Sequence, residues 1–291
     1  VDTSEQSLQD RTRIATRIRH AAIAALVAVG AVGAAITAES AASSASSASA
    51  APVAAVDEPP VPPIAVIDTP AAALASAVRV DPPDPPPQLG YPAAAWPGPG
   101  QVALTFDDGP RAGVTGRVID ILDEAQVGGT FFVVGTMATT WPQLVIRAAE
   151  SGHSVQNHTW NHPWLSRSST TVVTNELTRL SNYVESLIGV RPTVFRPPYG
   201  ATNARVAQIG ASLGMSQALW NGGPSSMTAS AANIISSVAS QARSAKANGS
   251  GLVVLFHDGS GSTGELLKAL PTVIQGLRAG GWEFVVMEQR P

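Results

Sequence analysis

The chain has no cysteine in 291 residues. Disulfide frameworks, thiolate metal sites and cysteine nucleophiles are therefore excluded. Histidine is scarce, with five in the chain, and His20 lies among basic residues near the start. Net charge is almost absent as well. The whole chain carries −3, and from Gly100 onward 13 Lys and Arg face 12 Asp and Glu. Nucleic-acid binding needs a basic footprint, so no nucleic-acid partner is expected. A near-neutral domain suits a neutral substrate.

What is present divides the chain into three parts. Arg11, Arg13, Arg17, Arg19 and His20 precede an uncharged run from Ala21 to Ala38, and Ser40-Ala41-Ala42 fits a small-x-small cleavage pattern. Residues 1–40 therefore read as a signal peptide or a signal anchor. The expected location is extracellular or in the cell envelope, with cleavage and a single anchor through 21–38 both left open. Residues 41–99 read as a disordered Ala/Ser/Pro-rich linker, because 14 of the 23 prolines lie before Gly100. At about 3 Å per residue, an extended spacer of this kind reaches on the order of 100 Å. A tail without any reach function is the other reading. No protein partner is indicated.

From residue 100 to 291 short β-rich runs alternate with amphipathic ones. Strands are predicted at Val102–Asp107, Thr130–Val134, His153–Asn157, Thr193–Arg196, Ser216–Asn221, Leu252–His257 and Trp282–Met287. Helical spacing appears in Val118, Ile121, Leu122 and Ala125, and again in Val173, Leu177, Leu180, Val184 and Leu187. Alternation of this kind implies α/β structure with about seven parallel strands, closed as a (β/α) barrel rather than left open. Reactive groups of such barrels gather at the C-terminal ends of the strands.

Four polar clusters fall at predicted strand ends. They are Thr105-Phe106-Asp107-Asp108-Gly109-Pro110, His158-Thr159-Trp160-Asn161-His162, Arg196-Pro197-Pro198-Tyr199-Gly200 and Leu255-Phe256-His257-Asp258-Gly259. Asp-Asp before Gly-Pro is by itself an ordinary turn signal. His158 and His162 are four apart, so one helical turn would put both imidazoles on one face. A pair so spaced is by itself a weak signal for a metal site and is more often surface or capping chemistry. With one carboxylate, the two would give the three ligands that a catalytic zinc usually takes. His153 reads as structural. Trp160, Trp164 and Trp220 fit either sugar stacking or burial, and Asn157 fits the orienting of a ligand.

Together, in this order, the four clusters resemble the polysaccharide deacetylase family, the carbohydrate esterases with the NodB homology domain. The resemblance covers about Gln101 to Glu288. It implies a distorted (β/α) barrel, and a catalytic domain over 100–291 that hydrolytically removes acetyl groups, mostly from N-acetylated sugars in glycans such as peptidoglycan or chitin. It implies Asp108, His158 and His162 as ligands of a divalent metal, Zn2+ first, with Co2+ or another divalent ion as alternatives. Asp107 would be the general base, His257 the general acid and Arg196 the counter-charge of Asp107. The backbone N–H of Tyr199 would face the oxyanion, with Pro198 and Trp220 beside the substrate. Asp258 would hold the His257 ring or cap its turn.

The chain departs from the family pattern at one place. An Asp-Trp pair, whose aspartate meets the residue corresponding to Arg196, is replaced by Ser226-Met227. No acidic residue occurs between Glu185 and Asp258. Arg196 is then expected to lose that partner or to bond Asn221 or a serine. Two further functions stay open: a catalytically weak, metal-retaining glycan-binding domain, and an O-acetyl esterase of the acetylxylan type.

Overall fold

A computed structural model describes residues 93–288. The leader, and the linker up to residue 92, lie outside the described residues. Among the described residues, no helix is long and apolar enough to cross a membrane. The described residues ahead of Gly100 include a strand. Strand β1 (Ala93–Ala94) pairs in parallel with the last strand, β9 (Val286–Met287), and Pro97 is buried.

The main sheet contains seven strands, all paired in parallel. At its centre is β2 (Gln101–Asp107), whose seven residues are all buried except partly exposed Gln101. A strand covered on both faces reads as a near-continuous apolar run, and Val102 to Phe106 is one, broken only by Thr105, whose hydroxyl donates to the Val254 carbonyl. From β2 the sheet runs through β3 (Gly129–Val133), β4 (Ser154–Asn157), β5 (Val194–Phe195) and β6 (Ser216–Gln217) on one side, with β7 (Leu252–His257) on the other. Strand β8 (Glu283–Phe284) takes the first two positions of β2, ahead of β3. Beyond β6 the chain returns to β7 through one parallel bridge, Gly222 to Val254. The sheet therefore curls into a barrel with a thin seam.

Two sequence expectations need correction in extent. The run Ser216–Asn221 is a strand only to Gln217, because the chain then leaves β5 to meet β7. There Asn221 donates to the Gly251 carbonyl and accepts from the Val253 N–H. The run Trp282–Met287 divides at Val285, whose N–H bonds Val102 while the residues on either side pair with different strands. Strand β5 is short because prolines at 192, 197 and 198 remove the N–H groups a longer ladder needs.

The helices are α1 (Thr115–Ala125), α2 (Gly135–Thr140), α3 (Pro142–Glu150), α4 (Thr170–Ile188), α5 (Ala204–Ser212), α6 (Ala231–Ala247) and α7 (Thr263–Ala279). Helix α4 carries the stripe read from sequence: Val173, Leu177, Leu180 and Val184 are all fully buried. Its N-cap is Ser169, whose hydroxyl accepts from the Val172 N–H, and Gly189 ends it in the left-handed conformation. Buried side chains of α1, α6 and α7 pack in one cluster with Val102, Leu104, Phe106 and Phe256. This packing fixes the strand ends that carry the polar clusters.

Candidate active site

The two aspartates separate because the strand stops between them. Asp107 keeps the β2 register, opposite Phe132 on β3 and His257 on β7. Asp108 leaves the strand with φ of 71°. The turn that follows lies against the loop after β7: a Cβ on Gly109 would come within 2.7 Å of the Asp258 carboxyl carbon. Only glycine fits there. The Asp258 and Gly259 N–H groups both donate to the Asp107 carbonyl, at 3.1 and 3.3 Å.

No helical turn forms over residues 158–162. After β4 the chain forms an irregular turn, with Thr159 at φ 70° and His162 at φ 61°. Local polar groups hold it. Asn157 Oδ1 accepts the Thr159 N–H, Thr159 Oγ1 accepts the His162 N–H, and the Glu176 carboxylate takes the N–H and amide of Asn161. Asn157 thus orients the turn rather than a ligand; its amide N–H groups donate to Leu177 O and Ser181 Oγ. Backbone strain of about 1–3 kcal/mol per left-handed non-glycine residue persists only where the surroundings over-determine it. Among the described residues five non-glycine positions have positive φ, and four of them are Asp108, Thr159, His162 and Tyr199.

This turn brings both imidazoles onto Asp108. Asp108 Oδ1 lies 3.4 Å from His158 Nε2 and 3.1 Å from His162 Nε2. The three donor atoms all lie within 4.8 Å of one another. Ligands about 2.0–2.1 Å from one tetrahedral ion sit roughly 3.3 Å apart, so the set fits a divalent cation. The outer nitrogens are already engaged, which leaves the Nε2 atoms for an ion. His158 Nδ1 meets the Arg196 carbonyl at 2.8 Å and His162 Nδ1 meets the Tyr199 hydroxyl at 3.1 Å. Ser260 Oγ donates to Asp108 Oδ2, so one carboxylate oxygen is occupied and the other faces the histidines.

Burial pushes the Asp108 carboxyl up, but hydrogen bonds from His158, His162 and Ser260 outweigh it and hold the group well below the usual carboxylate range. Burial pushes His158 down; the charges of Asp107 and Asp108 overcome that and raise it. Both directions describe a cluster that attracts positive charge.

Arg196 is fully buried. Its Nη1 donates to Asp107 Oδ1 at 2.7 Å and to Thr105 Oγ1 at 2.8 Å, and its Nη2 donates to the Leu219 carbonyl at 3.2 Å. The guanidinium lies over the Phe132 ring at 4.1 Å. Its Nε has no hydrogen-bond partner among the described residues. Asn221 is engaged with Gly251 and Val253, and Ser226 with Thr228, so neither replaces a second carboxylate. Burial pulls the guanidinium below its ordinary range, against the charge of Asp107.

The remaining expected residues reach the same end of the barrel. His257 closes β7 and is partly exposed, beside a shallow pocket lined by Ser226, Met227, Phe256 and Ser260. Pro198 is buried, Tyr199 is 55% exposed and Trp220 is 37% exposed. The Tyr199 N–H makes no hydrogen bond within the described residues. Trp160 is buried and Trp164 exposed. The Asp258 carboxylate bonds Thr115 Oγ1 at 2.5 Å, not His257. Burial, stronger than that bond, pushes its pKa up to about 7. His153 is structural, with Nδ1 accepting from the Gly129 N–H. Sequence reasoning missed Ser260, Thr105, Thr115 and the Leu219 carbonyl. Of these, Ser260 had a signal: a hydroxyl three residues past His257 in the same loop.

Fold and side chains define a parallel (β/α) barrel with an Asp-His-His cluster, of a geometry that fits a divalent cation, at its strand C-termini. Sequence comparison is specific about which such barrel it is. The profile described as "Polysaccharide deacetylase" matches residues 96–218. The peptidoglycan-N-acetylglucosamine deacetylase of Listeria monocytogenes is 35% identical over 189 residues, covering 65% of this chain and 38% of that protein. The chitooligosaccharide deacetylase of a Bradyrhizobium species is 33% identical over 201 residues, covering 65% of this chain and 89% of that one. Among solved structures, the family 4 carbohydrate esterase from Streptomyces lividans in complex with acetate superposes with a TM-score of 0.56 at 30% identity, covering 65% of this chain and 93% of that one. The chain belongs to the polysaccharide deacetylase family. It spans 38% of the length of the Listeria relative.

Proposed function

We propose that this chain is a metal-dependent hydrolase that removes acetyl groups from an N-acetylated glycan of the peptidoglycan or chitin type. The observation that carries this reading is the convergence of Asp108, His158 and His162 beside a separate, arginine-paired Asp107. Deacetylase relatives with peptidoglycan and chitooligosaccharide in their names support the substrate class. The three clustered residues hold the ion. Zinc suits one oxygen and two nitrogen donors, and cobalt is the nearest alternative. When bound, the ion supplies Lewis acidity toward the acetyl carbonyl and the attacking water.

The chain's own groups do the rest. Asp107, held on Arg196 and 3.6 Å from His158 Nε2, takes a proton from the attacking water. The free N–H of Tyr199 donates to the oxyanion. His257, opposite Asp107 in the strand register, gives a proton to the leaving amine. Pro198 and Trp220 shape the wall against the sugar. Export belongs to the same proposal, supported by the basic, uncharged and small-residue succession in 11–42. Finding the protein only in the cytosolic fraction would refute that part.

Acetate release from chitin oligomers, peptidoglycan and acetylxylan, with and without chelator, tests the activity. The expected result is chelator-sensitive release from N-acetyl substrates. Asp107→Asn is expected to retain the metal and to lose about 10²–10⁴ in turnover, the share a general base contributes. Glycan binding without acetate release would instead support the binding-domain reading, which the missing second carboxylate at Arg196 favours. Release from acetylxylan alone would support the O-acetyl esterase.

A further inference from the structure

Trp164 is a large apolar side chain left 45% exposed beside the cation site. Its surroundings are nonetheless ordered. The indole lies flat on the Tyr199 ring, with centroids 4.5 Å apart and planes 14° apart. The Arg167 guanidinium sits over the indole at 4.8 Å. The loop bearing it is tied to the segment after Tyr199: Ser166 N–H donates to Ala201 O, Asn203 Nδ2 to Ser166 O, and Arg205 Nη2 to Ser168 O at 2.7 Å. Leu165, next in sequence, is fully buried.

Tyr199 needs such support. It is a non-glycine residue at φ 60°, ψ 10°, and it is 55% exposed. Its hydroxyl meets His162 Nδ1 at 3.1 Å, and its ring meets the imidazole edge-on at 4.7 Å. One residue therefore carries a strained, unengaged N–H at its backbone and the orienting partner of a cation ligand at its side-chain tip.

We propose that Trp164 is a positioning residue: by stacking on Tyr199 it fixes both the Tyr199 N–H and the imidazole of His162. The N–H half rests on the deacetylase reading above; the His162 half needs only that the cluster binds a divalent ion. Without the indole, the Tyr199 ring gains rotamer freedom, the hydroxyl leaves Nδ1, and the left-handed backbone loses a restraint. An outer partner of a metal-ligating histidine is worth about 10–100-fold in affinity.

The test compares Trp164→Ala, Trp164→Leu and Trp164→Phe in the full chain. Zinc affinity is read by competition with a chromophoric chelator, and the Co2+-loaded absorption spectrum reports the ligand field. Alanine and leucine are expected to weaken zinc about tenfold and to shift the cobalt bands, and phenylalanine to restore both. In turnover, kcat is expected to fall about tenfold for leucine with KM nearly constant, because the lost restraint acts on the reacting carbonyl. Leucine keeps apolar bulk, so it carries the test if alanine does not fold. Wild-type zinc affinity and cobalt spectrum in Trp164→Leu would overturn the His162 half. Wild-type kcat in that variant would overturn the N–H half. If the wild-type protein releases no acetate, the deacetylase reading fails, and the zinc and cobalt measurements alone decide whether Trp164 positions His162.

Discussion

The buried ion pair between Asp107 and Arg196 links the stability of the barrel to the proposed chemistry. Arg196 is fully buried and Asp107 is 2% exposed. Among the described residues Asp107 is the only carboxylate that Arg196 bonds; its other partners, Thr105 Oγ1 and Leu219 O, are neutral. Arg196→Met strands a buried carboxylate, and Asp107→Asn strands a buried guanidinium. Each single change is expected to cost about 3–5 kcal/mol, while removing both charges together costs much less. For a domain of this size that is about 6–20 °C in Tm per single change. Urea unfolding of the two single variants and the double variant, in chelator to remove linkage to metal binding, measures this. The expected coupling is at least about 3 kcal/mol, because the single losses sum to about 6–10 kcal/mol and the double variant loses less than either alone. Losses that add within about 0.5 kcal/mol would show that the pair is not coupled and would refute the reasoning.

Two further outcomes follow from the geometry. His158→Ala removes a donor whose Nδ1 is already held by Arg196 O, and zinc affinity by equilibrium dialysis is expected to fall more than about 100-fold; stoichiometric metal in that variant would remove His158 from the ligand set. His153 gives a pH dependence of stability. Burial, then the charge of Arg147, lowers its pKa to about 4, against 6.5 in the unfolded chain; the Asp123 carboxylate also faces it, 3.4 Å from Nε2. Below pH 6.5 the unfolded chain binds a proton that the folded chain refuses, so stability is lost as pH falls from 6.5 toward 4. Between pH 7.5 and 4.5 the loss is about 2.5 kcal/mol, and it should be absent in His153→Gln measured by urea unfolding.

Much of the barrel was legible because its strands announce themselves. Val102 to Phe106 and Leu252 to Phe256 are apolar runs covered on both faces, and the helical stripe of α4 is buried as its spacing implied. What failed depended on tertiary contacts. Ser216–Asn221 has strand composition, but it serves two neighbours in turn and pairs with each only briefly. His158 and His162 have helical spacing, yet Asn157, Thr159 and Glu176 supply side-chain bonds that fold the turn otherwise. Polar side chains that bond nearby backbone compete with helix in this way. Backbone partners such as Leu219 O leave no residue-type signature at all.

Arg196 also shows that a charge and its orientation are separable requirements. The guanidinium spans from Asp107 on one side to the Leu219 carbonyl on the other, over the Phe132 ring. Leu219 leads directly into Trp220, whose ring lies 5.8 Å from the guanidinium carbon and is partly exposed. Arg196→Lys keeps a cation for Asp107, so it should lose only about 1–2 kcal/mol, less than Arg196→Met. A single ammonium cannot reproduce the planar fork, so the Leu219 tether is lost. If Trp220 forms part of the sugar wall, Arg196→Lys then raises KM for the glycan as well as lowering kcat. A lysine variant with reduced kcat and wild-type KM would assign Arg196 to Asp107 alone and remove Trp220 from the substrate wall. A variant equal to wild type in both would show that the fork has no part in turnover, and that one buried cation beside Asp107 is enough.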